Sequence, residues 1–391
     1  MAIDRAQVES GTAAGSRPTA PGPGRWSWLA IPLGIFAGTR LLQLALIAWL
    51  LPAGATVRSR LLSWDSGWFV RVARDGYPRG PLTGPVNPDA DGGLAFFPGY
   101  PLLVRYVHDL TRLDFGLAAL VVSWIAAAAA SILLFALGRR LYGTRVATIL
   151  TVLFFAQPMS VVLSMGYSES LFVAFVAGAL LAVHRRSWPG AALLGLGAAL
   201  TRPTGAAVAV ALAVAAASEL RERRPGRWGT VGAAGAALLG VPAYLAWVGQ
   251  RAGNWHAWFD IQTAGWGTTF DFGLGAGKFV LDALRSGDGW VQVSVALLLI
   301  AAVVLAVVAV TRRIWPPLLV YGLIVLALVV GQSGFYHSKP RLLVPALVVL
   351  VPPALALGRA RTRTAALVLA GYGLFGLWYG AYMITVWRFA I

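Results

Sequence analysis

The sequence predicts an all-α polytopic membrane protein, and three observations carry that prediction. Hydrophobic side chains make up 58% of the 391 residues against 12% charged, well outside the balance of a soluble domain. Runs of about 18 or more apolar residues recur from end to end, each long enough to cross ~30 Å of hydrocarbon as a helix. Arginines sit in short clusters between those runs and not on one continuous basic face. The net charge of +17 is therefore read as topology, and no nucleic-acid partner is expected. The chain has no cysteine, which removes disulfides, thiolate ligands and thiol nucleophiles from consideration.

Residues 1–25 are rich in Gly, Pro, Ser, Thr and Ala and read as a disordered cytoplasmic tail ahead of one integral membrane domain, 26–391. The run from Trp26 to Leu51 is too long for a signal-peptide core and lacks an obvious small-residue cleavage site, so it is expected to stay as the first membrane helix. About nine spans are expected: Trp28 to Leu51, Gly116 to Leu137, Val146 to Leu163, Ser168 to Val183, Trp228 to Val248, Val291 to Val310, Pro316 to Val330, Leu342 to Leu357 and Thr364 to Val386. Between the fourth and fifth, "TRPTG" (Thr201 to Gly205) breaks Gly190 to Ala217 into two apolar halves. Each half, about a dozen residues, is too short to cross alone.

Orientation follows from the arginine clusters, because short cytoplasmic loops carry the Lys/Arg excess. They are "GRRLYGTR" (Gly138 to Arg145), "HRR" (His184 to Arg186), "RERRPGR" (Arg221 to Arg227), "TRR" (Thr311 to Arg313) and "RARTRT" (Arg359 to Thr364). All five fall inside if the N-terminus is inside and Gly190 to Ala217 goes in and comes back as a re-entrant hairpin or helix pair, with Arg202 near its tip. A simple crossing would put "RERRPGR" outside. Under the hairpin topology ten of the fifteen acids lie in the two long outer loops, Pro52 to Phe115 and Gly249 to Trp290. Any chemistry is then expected outside.

The first of those loops opens with "RLLSWDSGWFVRVARDGYP" (Arg60 to Pro78). Trp64, Trp68, Phe69 and Val72 recur at helical spacing, with Asp65, Ser66, Arg71, Arg74 and Asp75 on the other side. The pattern describes a short helix in the interface with tryptophans at headgroup depth and Asp65 in its first turn. A helix cap is one role for Asp65; a reactive carboxylate is another.

"WDSGWFVRVARDGYP", then "FFPGYPLLVR" (Phe96 to Arg105), "GYSESLF" (Gly166 to Phe172), "LTRPTG" (Leu200 to Gly205) and "KPRLLVPA" (Lys339 to Ala346) resemble, in order and over most of the chain, the second mannosyltransferase of glycosylphosphatidylinositol assembly and its bacterial relatives. The resemblance implies a C-type (GT-C) glycosyltransferase fold with a long first outer loop. It also implies a polyprenyl-phosphate-mannose donor, a glycolipid or other acceptor, and action on the extracytoplasmic face of the cell membrane. By the same resemblance, Asp65 in "WDSGW" matches the acid thought to serve as catalytic base. Trp64, Ser66 and Trp68 beside it are candidate substrate contacts.

The chemistry suits the residues on its own terms. Transfer from a sugar phosphate to an alcohol needs one base for the acceptor proton and cations for the departing phosphate. Glycoside hydrolysis, by contrast, divides the work between two carboxylates. "HSKPR" offers His337, Lys339 and Arg341 on the outer side, where Arg can clamp a phosphate through two donors and Lys add a point charge. An interfacial anchor is the plainer reading of that segment. Arg202, within hydrophobic depth, needs a partner, since an unpaired cation there costs about 2.5 to 3.5 kcal/mol on insertion scales. The donor phosphate and Glu169, the only acid within a span, are the two choices. Tyr167 and Glu169 can contact sugar hydroxyls, or Ser168 and Glu169 can simply begin a helix.

Arg40, inside the first span, has no evident partner beyond snorkelling or an ion pair. "NPDADGG" (Asn87 to Gly93) begins like a calcium loop, but its twelfth position is Pro98, and a Gly-rich turn is the expectation. No metal or other cofactor is expected, the lipid-linked sugar being a substrate. The tryptophans of "NWHAWF" (Asn254 to Phe259) are read as part of the aromatic belt. The alternatives left open are another sugar or a protein acceptor on the same fold and, as a separate class, a lipid or sugar transporter or flippase. The chain shows one broken segment and not the paired ones of transporter repeats. The sequence leaves the acceptor, the linkage, the oligomeric state and any partner subunit open.

Overall fold

The computed structural model describes residues 27–78, 80 and 86–391; the expected disordered tail, residues 1–25, lies outside the described residues. Among the described residues the regular structure is helical, apart from one antiparallel bridge between Phe270 and Gln332. The chain runs through α1 (Ala30–Trp49), then α2 (Val57–Leu61), α3 (Asp65–Asp75), α4 (Pro88–Asp91) and α5 (Gly99–Thr111), and returns along α6 (Phe115–Tyr142). Next come α7 (Thr144–Ala156), α8 (Glu169–His184), α9 (Trp188–Ala199), α10 (Ala206–Arg221) and α11 (Arg227–Ala252). α12 (Ala257–Trp266) and α13 (Leu274–Ser286) precede α14 (Trp290–Thr311), α15 (Pro316–Gly331), α16 (Lys339–Leu342), α17 (Val351–Arg359) and α18 (Thr362–Thr385).

The five arginine clusters lie at one end of the bundle. Arg145 donates to Ala360 O at 2.6 Å, and Arg186 reaches both Glu219 (2.7 Å) and Pro225 O (2.8 Å). His184 packs edge-on against Trp315, next to "TRR", and Arg139 lies over Trp28 at the start of the chain's first helix. The "HRR" and "RERRPGR" clusters can meet only if the segment between them goes out and comes back. α9 and α10 are that hairpin: Gly195 of α9 abuts Val208 and Leu212 of α10, a contact impossible between collinear helices. α11 covers both.

Among the described residues six helices are long and apolar enough to cross a membrane, or seven if the pair Tyr336–Leu342 and Leu347–Arg359, bent by 75°, is one span; one of the six is Pro203–Arg221, the second half of the hairpin, which the sequence led us to expect too short to cross alone. Several expected spans are shorter than the sequence suggested. α7 has 13 residues and stops where Pro158 holds Gln157 extended (φ −66°, ψ 155°); the rest of that span is a 3-10 turn, Ser160–Leu163. Proline also breaks the span expected at Leu342 to Leu357, at Pro345, whereas Pro352 and Pro353 sit in the first turn of α17, where proline is tolerated.

The break after α7 frees backbone carbonyls within the apolar interior, and Arg40 satisfies them. It is fully buried; its guanidinium donates to Ser160 O at 2.7 Å, to Ser164 Oγ at 3.1 Å and to Phe155 O. The intramembrane cation thus caps the end of α7, where carbonyls lack partners by construction. One residue-turn along, Gln43 donates to Leu377 O of α18 at 2.9 Å.

Shortness has a second consequence. At 1.5 Å per residue α8 is about 24 Å long and α9 about 18 Å, against roughly 42 Å for α6 and a hydrocarbon core of ~30 Å. α8 begins and α9 ends beneath the rim set by α6, leaving a recess at the end away from the arginine clusters. α3, the 3-10 turn Gly92–Ala95 and α12 help to wall it. α3 is more deeply set than the interfacial helix expected: Ser66, Phe69, Val72 and Ala73 are buried. The exposed apolar stripe belongs to α5, at Leu102, Tyr106 and Leu110, four residues apart.

Candidate active site

The recess is a cavity of about 360 Å³ whose lining brings together Asp65, Glu169, Arg202, Lys339 and Arg341. Asp65 is the first residue of α3. The cap position is held by Trp64, with no side-chain cap bond, so capping does not occupy the Asp65 carboxylate. Trp64 itself takes φ 52°, a left-handed value that costs a tryptophan of order 1 to 3 kcal/mol. The turn it makes starts α3 at the cavity edge.

Arg341 joins the charges together. Its Nη1 donates to Asp65 Oδ2 at 2.7 Å, its Nε lies 3.7 Å from Glu169 Oε1, and its guanidinium stacks 5.2 Å over the Tyr167 ring. Arg202 lies 2.8 Å from the same Glu169 oxygen and donates to Ser168 Oγ at 3.1 Å. Four groups from α3, α8, the hairpin tip and α16 therefore form one chain of alternating charge: Asp65, Arg341, Glu169, Arg202. Two acids and two arginines balance, as burial of ions requires. Of the two partners posed for Arg202, Glu169 is in contact with it, and Arg202 also lines the cavity. Both Glu169 oxygens and the Nε atoms of Arg202 and Arg341 nevertheless lack hydrogen-bond partners, so the cluster has bonding capacity to spare.

The other expected site residues divide. Lys339 lines the cavity, but its ammonium donates to Val329 O (3.0 Å) and Gln332 O (2.6 Å), closing the C-terminal end of α15. It is a cap first, which the pairing of Lys339 with Arg341 as equal phosphate ligands did not foresee. His337 does not line the cavity; it is buried among Phe335, Trp387 and Phe389. Tyr167 is fully buried beneath Arg341 and supports the cluster from behind. Ser66 is buried and donates to Leu61 O at 3.3 Å; Trp64 packs against the main core. Trp68 stacks on Phe96, behind the wall, and does not face the cavity directly.

"NPDADGG" forms a capped helical turn. Asn87 accepts from Asp89 N at 3.0 Å, Asp91 accepts from Asn87 N at 2.9 Å, and Arg71 donates to Asp89 O. Gly92 is there because Trp68 leaves no room: a Cβ would sit 2.7 Å from its ring. Among the described residues no group of three or more His, Cys, Asp and Glu is placed to hold a metal ion.

Several wall residues were not singled out from sequence: Phe69, Phe96, Phe97, Thr201, Gln262 and Trp266. Trp258, read as part of an aromatic belt, also lines the cavity, whereas Trp255 of the same stretch is 67% exposed. The lip is fastened by Tyr77 and Tyr244, which both donate to Phe96 O at 2.8 Å. Burial pushes the Tyr77 phenol above its ordinary range, so it stays a donor.

Comparison with known proteins bears on the fold and on part of the sequence. Residues 53–209 match the family model described as "Mannosyltransferase (PIG-V)", which bears out the resemblance read from the motifs. The match includes Asp65, Glu169 and Arg202 and ends before α12 and Arg341. No curated protein matches the chain. Among solved structures, ArnT from Cupriavidus metallidurans bound to undecaprenyl phosphate aligns over 90% of this chain and 63% of its own, at 14% identity and a TM-score of 0.51. The apo oligosaccharyltransferase of Archaeoglobus fulgidus aligns over 93% of this chain and 56% of its own, at 15% identity and a TM-score of 0.48. The chain thus spans less than two-thirds of the solved structures it matches. It is a multi-pass membrane protein with the C-type glycosyltransferase fold, and over residues 53–209 it carries the sequence pattern of the PIG-V mannosyltransferase family.

Proposed function

We propose that this protein is an integral membrane mannosyltransferase that moves mannose from a polyprenyl-phosphate donor to a hydroxyl of a glycolipid or other acceptor. The observation that carries the reading is the 2.7 Å pair between Arg341 and Asp65 inside the cavity, a base and an anion-binding cation in contact. The family match supports the sugar. The undecaprenyl phosphate bound to ArnT supports the lipid phosphate.

In the proposed step Asp65 takes the proton of the acceptor hydroxyl, the freed oxygen bonds to C1 of mannose, and the bond from C1 to phosphate oxygen breaks. Its electron pair leaves on the phosphate. The carboxylate goes from −1 to 0 as the phosphate goes from −1, a diester, to −2, a monoester; the cavity's total charge does not change. Arg341 touches the group that loses the charge and is placed to follow it to the group that gains it, where its fork matches phosphate. Stabilising charge as it develops is where catalytic electrostatics act. Glu169 holds Arg202 and Arg341 against the cavity wall. One displacement inverts C1.

The positive-inside rule supports placing the arginine clusters in the cytoplasm and the cavity on the extracytoplasmic face. Because the chain has no native cysteine, single cysteines test this. Ser286→Cys should react with an impermeant thiol reagent on intact cells, and Arg223→Cys and Arg361→Cys only after permeabilisation; labelling of Arg223→Cys from outside would reverse the assignment. For the reaction, purified protein in lipid nanodiscs is given polyprenyl-phosphate mannose or a nucleotide-linked mannose, with membrane glycolipid extract as acceptor. Transfer from the lipid donor alone is expected. Transfer from the nucleotide sugar alone would overturn the proposal.

A further inference from the structure

α12 gives the cavity a second face that the transfer step does not use. Trp258, Gln262, Gly265 and Trp266 recur at i, i+4, i+7 and i+8, one stripe of a helix, and all four line the cavity shared with Asp65 and Arg341. The stripe is pinned from behind: Trp258 Nε1 donates to Ala95 O at 3.3 Å and Gln262 Nε2 to the same carbonyl at 3.4 Å. Gln262 is left with its amide oxygen as an acceptor. Trp266 is braced edge-on by Phe96 (5.5 Å) and Trp68 (6.3 Å) and remains half-buried. Trp255 and Phe259, from the same stretch, are exposed elsewhere. The segment thus divides its aromatic residues between the surface and the cavity.

The chemistry of this face selects among the parts of the two substrates. Phosphate belongs with Arg202, Lys339 and Arg341, which come from other elements; α12 brings no cation to the cavity. An isoprenoid chain would strand the Gln262 oxygen and the Thr204 hydroxyl, which has no partner among the described residues; both residues are in the same lining, and the cost is set by unmade hydrogen bonds. A pyranose ring matches, with C–H groups for a flat indole and hydroxyls for a fixed amide. We propose that α12, with the Phe96 turn, is a pyranose subsite in which Trp266 is the stacking platform and Gln262 the hydroxyl partner. The assignment rests on the glycosyltransferase reading. It admits two sources of the ring, the sugar being transferred and the terminal sugar of the acceptor.

Saturation-transfer NMR with methyl α-D-mannopyranoside on the purified protein reads the subsite without any turnover. Trp266→Leu and Gln262→Ala should each lower the transferred signal about fivefold or more, while Trp255→Leu should leave it unchanged. Trp266→Phe, which keeps an aromatic face, should recover part of it; this variant and a thermal melt separate lost binding from lost folding. Kinetics then name the source: a raised KM for the donor alone assigns the transferred sugar, and a raised KM for the acceptor alone assigns the acceptor's sugar. Undiminished mannoside signal in Trp266→Leu and Gln262→Ala overturns the subsite, as does a wild type without signal whose variants move neither KM. Mannoside binding that depends on Trp266 in a protein showing no transfer would uphold the subsite and count against the transferase reading.

Discussion

Arg40 and Arg341 are both buried guanidinium groups in an apolar helical bundle, and they are held in opposite ways. Arg40 donates hydrogen bonds to backbone carbonyls and serine hydroxyls, which are neutral, and no carboxylate among the described residues contacts it. Arg341 donates a hydrogen bond to Asp65, lies beside Glu169, and faces an open cavity. Carbonyls at a helix break have nowhere else to turn, so Arg40 is a permanent staple. A carboxylate can exchange its cation for a proton, and the cation can exchange the carboxylate for a phosphate. Burial alone therefore does not mark a functional arginine in this membrane protein. The kind of partner and access to a cavity do.

The comparison can be broken at either end. The largest effect is expected at the acid: Asp65→Asn should slow transfer by about 10² to 10⁴, with some loss of detergent stability because Arg341 loses a counter-charge. Near-normal turnover in Asp65→Asn would remove the base from the account. Next, Arg341→Gln should cost about 2 to 4 kcal/mol in kcat/KM, the range for one lost charge-stabilising donor. It should also lower stability, since Asp65 and Glu169 lose a counter-charge. Arg341→Lys keeps the charge but loses the fork; activity should recover only in part, although stability recovers more.

Arg40→Met should do the reverse of Arg341→Lys. Each carbonyl or hydroxyl left without its donor costs about 1 to 3 kcal/mol, so the melting temperature in detergent should fall while kcat/KM of the folded fraction holds. A selective loss of kcat there would erase the distinction between the two arginines. Lys339→Met should be intermediate in activity: the carbonyls of Val329 and Gln332 lose a donor, and donor KM should rise less than in Arg341→Gln. Equal effects at Lys339 and Arg341, measured with acceptor saturating, would restore the two as equal phosphate ligands.

Much of this contrast was visible in the chain before folding, and the part that was not has a physical reason. The arginine clusters and the break at Thr201 to Gly205 gave the hairpin, because charge and proline act locally. Motifs around Asp65, Glu169, Arg202 and Arg341 named the charged cluster. Sequence could not show that Asp65 meets Arg341, which is 276 positions away, or that Lys339 is spent on α15. Nor could it give Arg40 a partner, because backbone carbonyls carry no residue signature. The cavity face of α12 was missed for a related reason: Trp255 and Trp258 differ by three positions and look alike, yet one is on the surface and one in the wall.

The central claim is that Asp65 and Arg341 act as a unit, with charge passing from the carboxylate to the leaving phosphate under one guanidinium. A double-mutant cycle on single-turnover transfer, comparing wild type, Asp65→Asn, Arg341→Gln and the double variant, tests it most directly. Residues that act together are strongly non-additive. The account predicts that the double variant is about as slow as the slower single variant, because either change already disables the shared step. A double variant whose loss equals the product of the two single losses would mean that the two side chains act independently, and would contradict the claim.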